Sequence, residues 1–281
     1  MGMQINTNVA ALNSYRNLSN TQNDLSKSLE KLSSGLRINR AADDAAGLSI
    51  SEGLRSQVNG LNVAARNAQD GISVIQTAEG ALTEVHSILQ RMRDLAVQGG
   101  NDSNSPEART AIETEAGELS KELYRITEST KFNGINLLKG AELTFQVGAN
   151  GDANNAIAVT LANVATSVGT LASADGTAAG VGFDVDSNGV AQTTITAIDT
   201  AITAISTSRA NLGAVQNRFE STINSLNVSA ENLAAAESRI RDTDMASEMV
   251  NYTRANILSQ AGTAMLAQAN QSNQGVLQLL G

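Results

Sequence analysis

The residues that could perform chemistry in this chain are few and are poorly spaced for catalysis. Among 281 residues there is one histidine, His86, and no cysteine. Neither an HExxH zinc site nor a Ser-His-Asp set can be assembled within one such chain, and a thiolate nucleophile is excluded. Glu79 and Arg93 lie seven residues on either side of His86. This spacing predicts a partly solvated histidine that interrupts an apolar helix stripe.

Two carboxylate pairs are the other candidates for chemistry. Asp43-Asp44 and Asp242-Thr243-Asp244 contain the residue types used in acid–base catalysis and in binding divalent cations. Acidic residues are also favoured at helix N-termini, where they accept hydrogen bonds from free N–H groups. Since helical patterns follow both pairs, we interpret them as helix starts. The sequence therefore predicts no catalytic residue, no metal site, no cofactor and no enzymatic activity.

The composition favours slender helical packing. The chain has 4 Phe, 3 Tyr and no Trp, so Leu, Ile, Val and Ala must supply most of the buried surface. Its net charge of −9 disfavours binding to nucleic acid or to an anionic membrane. The first 15 residues lack the basic and apolar regions of a secretory signal, and no membrane insertion is expected.

The strongest pattern is a pair of coiled-coil-like apolar repeats near the two ends of the chain. Residues three, four or seven apart lie on one face of a helix, which must pack against another helix. Such faces predict association between the two ends, between subunits, or both. The first repeat comprises Leu18, Leu25, Leu29, Leu32 and Leu36, and the second comprises Leu212, Phe219, Ile223, Leu226, Leu233 and Ile240.

The remaining helices follow from periodicity and capping signals. The first helix is expected to end at Ser33-Ser34-Gly35, and a long second helix runs from Asp43-Asp44 to Gly99-Gly100. Ser105-Pro106 predicts the start of a third, shorter helix, with Ser as the cap and Pro at the first helical position. Helical periodicity resumes near Ile195. A last helix follows Asp242-Thr243-Asp244 and carries one stripe, namely Met245, Met249, Tyr252, Ile257, Ala261 and Met265.

The middle of the chain has a β pattern. Apolar and small or polar residues alternate over 143–147 and 157–161, with Asn150-Gly151 between them, which predicts a β-hairpin. A weaker hairpin is predicted to turn at Asp186-Ser187-Asn188-Gly189. The Gly, Ala, Ser and Thr bias over 162–196 predicts an exposed excursion.

These elements predict a mainly α fold, an elongated helical rod of long coiled-coil-like helices from both termini with a small β-hairpin region at its far end. We expect five segments along the chain. They are the N-terminal part of an inner coiled coil (1–42), the N-terminal helices of a rod domain (43–139), its β-hairpin and variable excursion (140–194), its C-terminal helix (195–241), and the C-terminal part of the coiled coil (242–281).

Several stretches of the sequence resemble the bacterial flagellins, the major subunits of the flagellar filament. The resemblance occurs in the same order along the chain and includes both ends. The matching stretches are INTNVAALNS (5–14), LEKLSSGLRINRAADDAAGLSI (29–50), RNAQDGISVIQTAEGALTEV (66–85), LQRMRDLAVQ (89–98), FNGINLL (132–138) and the segment 212–271 that begins LGAVQNRF.

This resemblance implies a short flagellin with little or no outer domain. Such a subunit polymerises into a helical filament for motility, outside the cell, and is exported without a cleavable signal peptide through the flagellum's own type III channel. The implied partners are other copies of the chain, an export chaperone, the filament cap and the hook-junction proteins. Polymerisation is assigned to Leu18, Leu25, Leu29, Leu32, Leu36, Ile257, Met265, Leu277 and Leu280.

The resemblance also implies recognition of the monomer by the vertebrate Toll-like receptor for flagellin. The receptor-binding positions of the family match Arg91, Leu95 and Glu115, with Gln90 as a neighbour. Two interpretations stay open, and both can hold: Arg91 and Leu95 anchor a receptor interface, or Leu95 packs within the helical rod and Arg91 lines a contact between subunits. The alternative function is a hook–filament junction protein, which has similar ends but occurs in few copies.

Overall fold

Six helices account for most of the described chain. The computed structural model describes residues 8–173 and 182–280, including their side chains except those of residues 170 and 272–280. Five of the helices are long, and this confirms the mainly α fold class. The helices are α1 (Val9–Ser34), α2 (Ala45–Gly99), α3 (Pro106–Ser129), the short α4 (Val164–Val168), α5 (Asn188–Arg241) and α6 (Met245–Leu280).

Two antiparallel strand pairs lie between α3 and α4. Strands β3 (Glu142–Gln146) and β4 (Ala156–Thr160) form the predicted hairpin, with Leu143 opposite Val159. A smaller pair, β1 (Lys131–Phe132) and β2 (Ile135–Asn136), was not predicted. Its turn is Asn133-Gly134, where both residues have positive φ (47° and 81°). This Asn-Gly pair is the sequence signal for a tight hairpin turn.

Local capping chemistry sets the predicted helix ends. Gly35 ends α1 in the left-handed conformation (φ 73°), which a residue without a Cβ adopts at little cost. The Ser105 side chain accepts a hydrogen bond from the N–H of Ala108, with Pro106 at the first helical position of α3. Both predicted ends are confirmed.

The predicted second hairpin at Asp186–Gly189 is wrong. Helix α5 begins at Asn188, inside the supposed turn and seven residues before the predicted resumption of helix at Ile195. The carbonyl of Ser187 accepts a hydrogen bond from the N–H of Ala191 (2.9 Å). The Ser-Asn-Gly sequence therefore starts a helix here. Part of the predicted excursion, residues 174–181, lies outside the described residues.

The described residues divide into two compact units, which we treat separately. Unit 1 comprises Met1–Gln57 and Glu231–Gly281, and unit 2 comprises Val58–Ala230. The divisions fall within α2 and α5, whereas the sequence placed its boundaries near loops, at 42/43 and 241/242. Among the described helices, none has a sufficiently long and apolar stretch to cross a membrane.

The core of unit 2 follows two rows of residues spaced by seven. On α2 the row is Ala68, Ile75, Leu82, Leu89 and Ala96, and on α5 it is Ile198, Ile205, Leu212 and Phe219. This spacing keeps each row on one helix face. Both rows are part of a single buried core.

Phe219 is the large side chain at one end of this core. It is fully buried, and a Cβ added to Gly71 would lie only 2.9 Å from its ring. Glycine at this position lets the ring approach the backbone of α2. On its other side the ring meets Phe145 of β3 edge to face, with centroids 5.7 Å apart. Phe219 therefore joins both helices and the hairpin.

Ion pairs between α2 and α5 flank the core of unit 2. Arg93 Nε lies 2.6 Å from Asp199 Oδ1, and Arg209 lies 3.7 Å from Glu79. The hydrogen bond that Arg93 donates to Asp199 is the main reason that the pKa of Arg93 is raised, and the negative charge of Asp199 adds to it. Exposed pairs of this kind contribute little to stability. Both pairs nevertheless form together only when α2 and α5 are aligned as observed.

We expect Phe219→Ala to destabilise unit 2 strongly, because it removes a fully buried ring that joins three elements. The free energy of unfolding should fall by about 3–5 kcal/mol, measured by urea denaturation with circular dichroism. Val228→Ala on the same helix is the control, since Val228 is 59% exposed. A loss below about 1 kcal/mol for Phe219→Ala would contradict the packing described here.

Candidate functional site

Helices α1 and α6 of unit 1 pack against each other and carry the candidate association surface. Asn8 caps the start of helix α1, since its side-chain oxygen accepts a hydrogen bond from the N–H of Ala11 (3.0 Å). The amide nitrogen of the same side chain donates to the carbonyl of Ala269 on α6 (3.0 Å). Leu18 lies directly against Gly262, so the two helices approach closely.

Helix α6 has two differently used faces. Tyr252 and Leu266 are half-buried, whereas Met249, Ile257 and Met265 are 51–62% exposed. The sequence assigned most of these residues to one stripe, and the structure separates them. The difference arises because the face toward α1 uses small residues such as Gly262, which carry no apolar signal in the sequence.

The exposed face of α6 is the largest run of exposed apolar side chains among the described residues. Large apolar groups in water are normal when they are isolated, but a contiguous set marks an interaction surface. Helix α1 adds further exposed apolar residues. The α6 outer face comprises Met245, Met249, Val250, Ile257, Leu258 and Met265, and the α1 residues are Val9, Leu12, Tyr15 and Leu29.

The predicted polymerisation residues therefore fall into three groups. Ile257, Met265 and Leu29 are exposed and free to contact another chain. Leu277 and Leu280 have side chains outside the described residues. The others are half-buried within unit 1, so part of their surface is already used inside the subunit, namely Leu18, Leu25, Leu32 and Leu36.

One carboxylate of each pair acts at a helix start. Asp44 accepts a hydrogen bond from the N–H of Gly47 (2.8 Å), and Asp244 accepts one from the N–H of Ala246 (2.9 Å). Asp43 accepts hydrogen bonds from the N–H groups of Arg40 and Asn39. These two bonds, the one from Arg40 more than the one from Asn39, lower the pKa of its carboxyl. The interpretation as helix-start residues is confirmed for Asp44 and Asp244.

The segment after α1 is tied to the end of α5 within unit 1. The backbone N–H of Arg37 donates to the carbonyl of Arg241 (2.6 Å), and the N–H of Thr243 donates to the carbonyl of Gly35 (3.0 Å). Arg241 also pairs with Glu52 of α2 at 2.7 Å. These bonds hold the loops that precede α2 and α6 side by side.

The four predicted receptor-binding residues lie in unit 2 but are not equally accessible. Arg91 of α2 pairs with Glu115 of α3, with Nε 2.8 Å from Oε1, and both side chains are about half exposed. Gln90 is exposed, and its amide nitrogen lies 2.9 Å from His86 Nε2. Leu95 is 1% exposed. It is a core residue, as the interpretation of internal packing predicts.

His86 has the environment that the sequence predicted. It is half-buried, between the core of unit 2 and solvent. Its Nδ1 atom is enclosed and has no hydrogen-bond partner among the described residues. The neighbouring side chains on its face, Glu79 and Arg93, pair with Arg209 and Asp199 of α5 instead.

Sequence reasoning missed one acidic cluster in unit 2. Carboxylate oxygens of Glu113, Asp184 and Asp186 lie within 4.8 Å of one another. Burial raises the pKa of Glu113, and the negative charges of Asp186 and Asp184 raise it further. Arg109 lies beside the cluster and donates to the carbonyls of Val185 (3.2 Å) and Asp186. The alternation Asp-Val-Asp was the available signal, but it does not show that Glu113 comes near.

Long paired helices with an exposed apolar face define a protein that associates with other helices. Comparison with known families agrees with that class. Residues 5–142 match the bacterial flagellin N-terminal helical region, and residues 195–280 match the bacterial flagellin C-terminal helical region. The chain belongs to the bacterial flagellin family.

Individual relatives extend over the whole chain. A flagellin of Halalkalibacterium halodurans is 51% identical over 279 residues, covering 99% of this chain and 100% of the relative. The flagellar filament 33 kDa core protein of Treponema phagedenis is 47% identical over 294 residues, with the same coverage. The crystal structure of Bacillus cereus flagellin covers 61% of this chain and 94% of its own, at 30% identity and a TM-score of 0.49.

We expect Glu113→Gln to stabilise unit 2 near neutral pH. A carboxyl whose pKa is raised by folding favours the folded state when protonated, and this contribution is lost as the pH rises through the folded pKa. Glutamine removes the negative charge and keeps an acceptor for the N–H of Val185. The melting temperature at pH 7 should rise by about one or two degrees.

The gain from Glu113→Gln should shrink as the pH is lowered through the range in which Glu113 of the wild type becomes protonated. Melting curves at several pH values measure it. Glu118→Gln, which removes the exposed carboxylate paired with Lys121 on the same helix, is the control and should show no such gain. A lower melting temperature for Glu113→Gln at pH 7 would contradict the charge repulsion described here.

Proposed function

We propose that this chain is the subunit of a bacterial flagellar filament and polymerises by burying its exposed helix faces against neighbouring subunits. The observation that carries the proposal is the outer face of α6, on which Ile257 and Met265 are 61% and 62% exposed in the single subunit. Membership of the flagellin family supports it, as does the name of the Treponema phagedenis relative, a filament core protein.

The physical basis is the removal of these apolar side chains from water. Each square ångström of apolar surface buried contributes about 25 cal/mol, so a face of several large residues per subunit favours association. Contacts between different surfaces of identical subunits generate an open helical polymer when the rotation does not close a ring. Many repeated contacts of modest strength make growth cooperative and reversible.

The proposed location is the flagellum outside the cell. We extend the proposal to export through the type III channel without a cleavable signal peptide, and to an export chaperone, the filament cap and the hook-junction proteins as partners. Family membership is the support for these assignments.

We also propose that the monomer is recognised by the vertebrate Toll-like receptor for flagellin, through Arg91, Glu115 and Gln90. What supports this is the geometry of the pair: the two charged side chains come from different helices, meet at the surface, and are each about half exposed. Leu95 lies on the same helix as Arg91 and anchors that helix in the core of unit 2. An exposed arginine of this kind is a frequent anchor in protein interfaces.

Replacing apolar residues of the α6 outer face should weaken polymerisation without unfolding the subunit. We expect Ile257→Ser/Met265→Ser to raise the monomer concentration needed for seeded growth by at least about tenfold, because two exposed apolar contacts per interface are lost. The measurement is seeded polymerisation followed by sedimentation and negative-stain microscopy.

Val228→Ser is the matched control, since Val228 is similarly exposed but belongs to unit 2. Normal polymerisation of the Ile257/Met265 variant would sink the proposed role of this face. If the wild type instead gives only short capped oligomers on seeds, the hook–filament junction protein becomes the better assignment.

Arg91→Ala should lower receptor activation by the monomer at least about tenfold, if the arginine is an interface anchor worth some 2 kcal/mol. The fold should change little, because an exposed ion pair is worth only about 0–1 kcal/mol. The measurement is a receptor reporter assay over a range of monomer concentrations, with the melting temperature recorded for each variant.

Arg125→Ala is the matched control for this assay. Arg125 is also an exposed arginine paired with a glutamate, Glu122, on the surface of unit 2. Equal signalling by the Arg91 and Arg125 variants would show that Arg91 is not an anchor.

A further inference from the structure

The contact face between α1 and α6 has little apolar surface with which to fix its own alignment. The less exposed residues recur at alternating three- and four-residue spacings on both helices, and most are small or polar. On α1 they include Ala11, Ser14, Leu18, Thr21, Leu25 and Ser28, and on α6 they include Tyr252, Ala255, Ser259, Gly262, Leu266 and Ala269.

Sliding one helix by seven residues would largely preserve this pattern. Ala255 and Ala269 lie one heptad on either side of Gly262, and Leu25 lies one heptad from Leu18. Burial alone therefore distinguishes poorly between the observed alignment and its neighbours. Some specific contact must select one alignment, because a sheet or coiled coil of repetitive composition otherwise slips.

Gly262 and Leu18 form such a contact. A glycine inside a helix costs about 1 kcal/mol relative to alanine, so its presence in α6 calls for a structural reason. A Cβ at position 262 would lie 3.1 Å from Leu18 Cδ1 and 3.7 Å from Leu18 Cβ. Leu18 thus occupies space left by the missing side chain. After a one-heptad slip, Leu18 would meet the Cβ of an alanine instead.

Asn8 forms a second contact with directional geometry. Its carboxamide oxygen caps α1 and its nitrogen donates to the carbonyl of Ala269 on α6, both at 3.0 Å. The start of α1 is therefore attached to a defined turn of α6. A slip of seven residues displaces the donor by about 10 Å along the helix and breaks this hydrogen bond.

We propose that Leu18 with Gly262, and Asn8 with Ala269, set the axial register of α1 on α6, and that a subunit joins the polymer only in this register. The proposal rests on the proposed function, because the outer face of α6 and the exposed residues of α1 would form one composite surface. A slip of one heptad moves these two parts of the surface about 10 Å apart along the helix axis, which misaligns them for any neighbour.

The chain has no cysteine, so an engineered pair reports on the register without interference. The distance of 3.7 Å between Leu18 Cβ and a Cβ at position 262 suits a disulfide. We expect L18C/G262C to form an intrachain disulfide at least about tenfold faster than L18C/A269C, which is one heptad out of register. The readout is mass spectrometry of the monomer after timed oxidation. Equal rates for the two pairs would overturn the proposed register.

Seeded polymerisation of the oxidised proteins then tests whether the register matters for assembly. Oxidised L18C/G262C should add to seeds as well as its reduced form does. The crosslinked fraction of L18C/A269C should not add until a reductant releases it. Failure of the first protein, or normal addition of the second while crosslinked, would overturn the requirement for this register.

A reciprocal exchange provides a test without crosslinks. Gly262→Leu places two leucines at one contact, and we expect it to raise the monomer concentration needed for growth at least about tenfold. The double variant L18G/G262L restores one leucine and one glycine at the contact, with their positions exchanged, and should recover most of the growth. This recovery could not come from helix propensity, because Leu18→Gly by itself destabilises α1. Absence of rescue contradicts the proposal.

These results separate the register from the proposed function. If the wild type forms no tubes on seeds, the filament proposal fails, while the oxidation rates of the monomer still decide the register. If the wild type polymerises and the crosslinked L18C/G262C and L18C/A269C proteins behave alike, only the register proposal fails.

Discussion

The packing of α2 against α5 through residues spaced by seven is the interaction on which unit 2 depends. Residues spaced by seven stay near one helix face over several turns, and both helices maintain this spacing. Phe219 fills the space that Gly71 leaves, and its ring also contacts Phe145 of the hairpin. The ion pairs beside the row add alignment more than energy, because they are partly solvated.

Unit 1 uses the opposite distribution of side chains. Its inner contact is made largely from small and polar residues, and many of its large apolar residues, such as Ile257 and Met265, face outward. A fold selected only for the stability of the single chain would place these groups inside. The arrangement makes sense when the neighbouring subunit supplies the missing half of the core, as the proposed polymer does.

The sequence predicted those features that arise from local chemistry. The end of α1 at Gly35, the start of α3 at Ser105-Pro106 and the β3–β4 hairpin all follow from residues close in the chain. It left open or missed features that depend on which element lies opposite. The burial of Leu95 and the approach of Glu113 to Asp184 and Asp186 involve other helices or loops, and Gly262 has no side chain to reveal which face of α6 turns inward.

The contrast between buried Leu95 and exposed Arg91 has an evolutionary consequence. Replacing Leu95 would leave a cavity costing about 2–5 kcal/mol, a large part of the stability of a typical domain. Replacing Arg91 removes only a solvated ion pair. Lineages under pressure to alter this surface therefore have a mutational route through the arginine and not through the leucine beneath it. Folding therefore constrains position 95 and leaves position 91 comparatively free to vary.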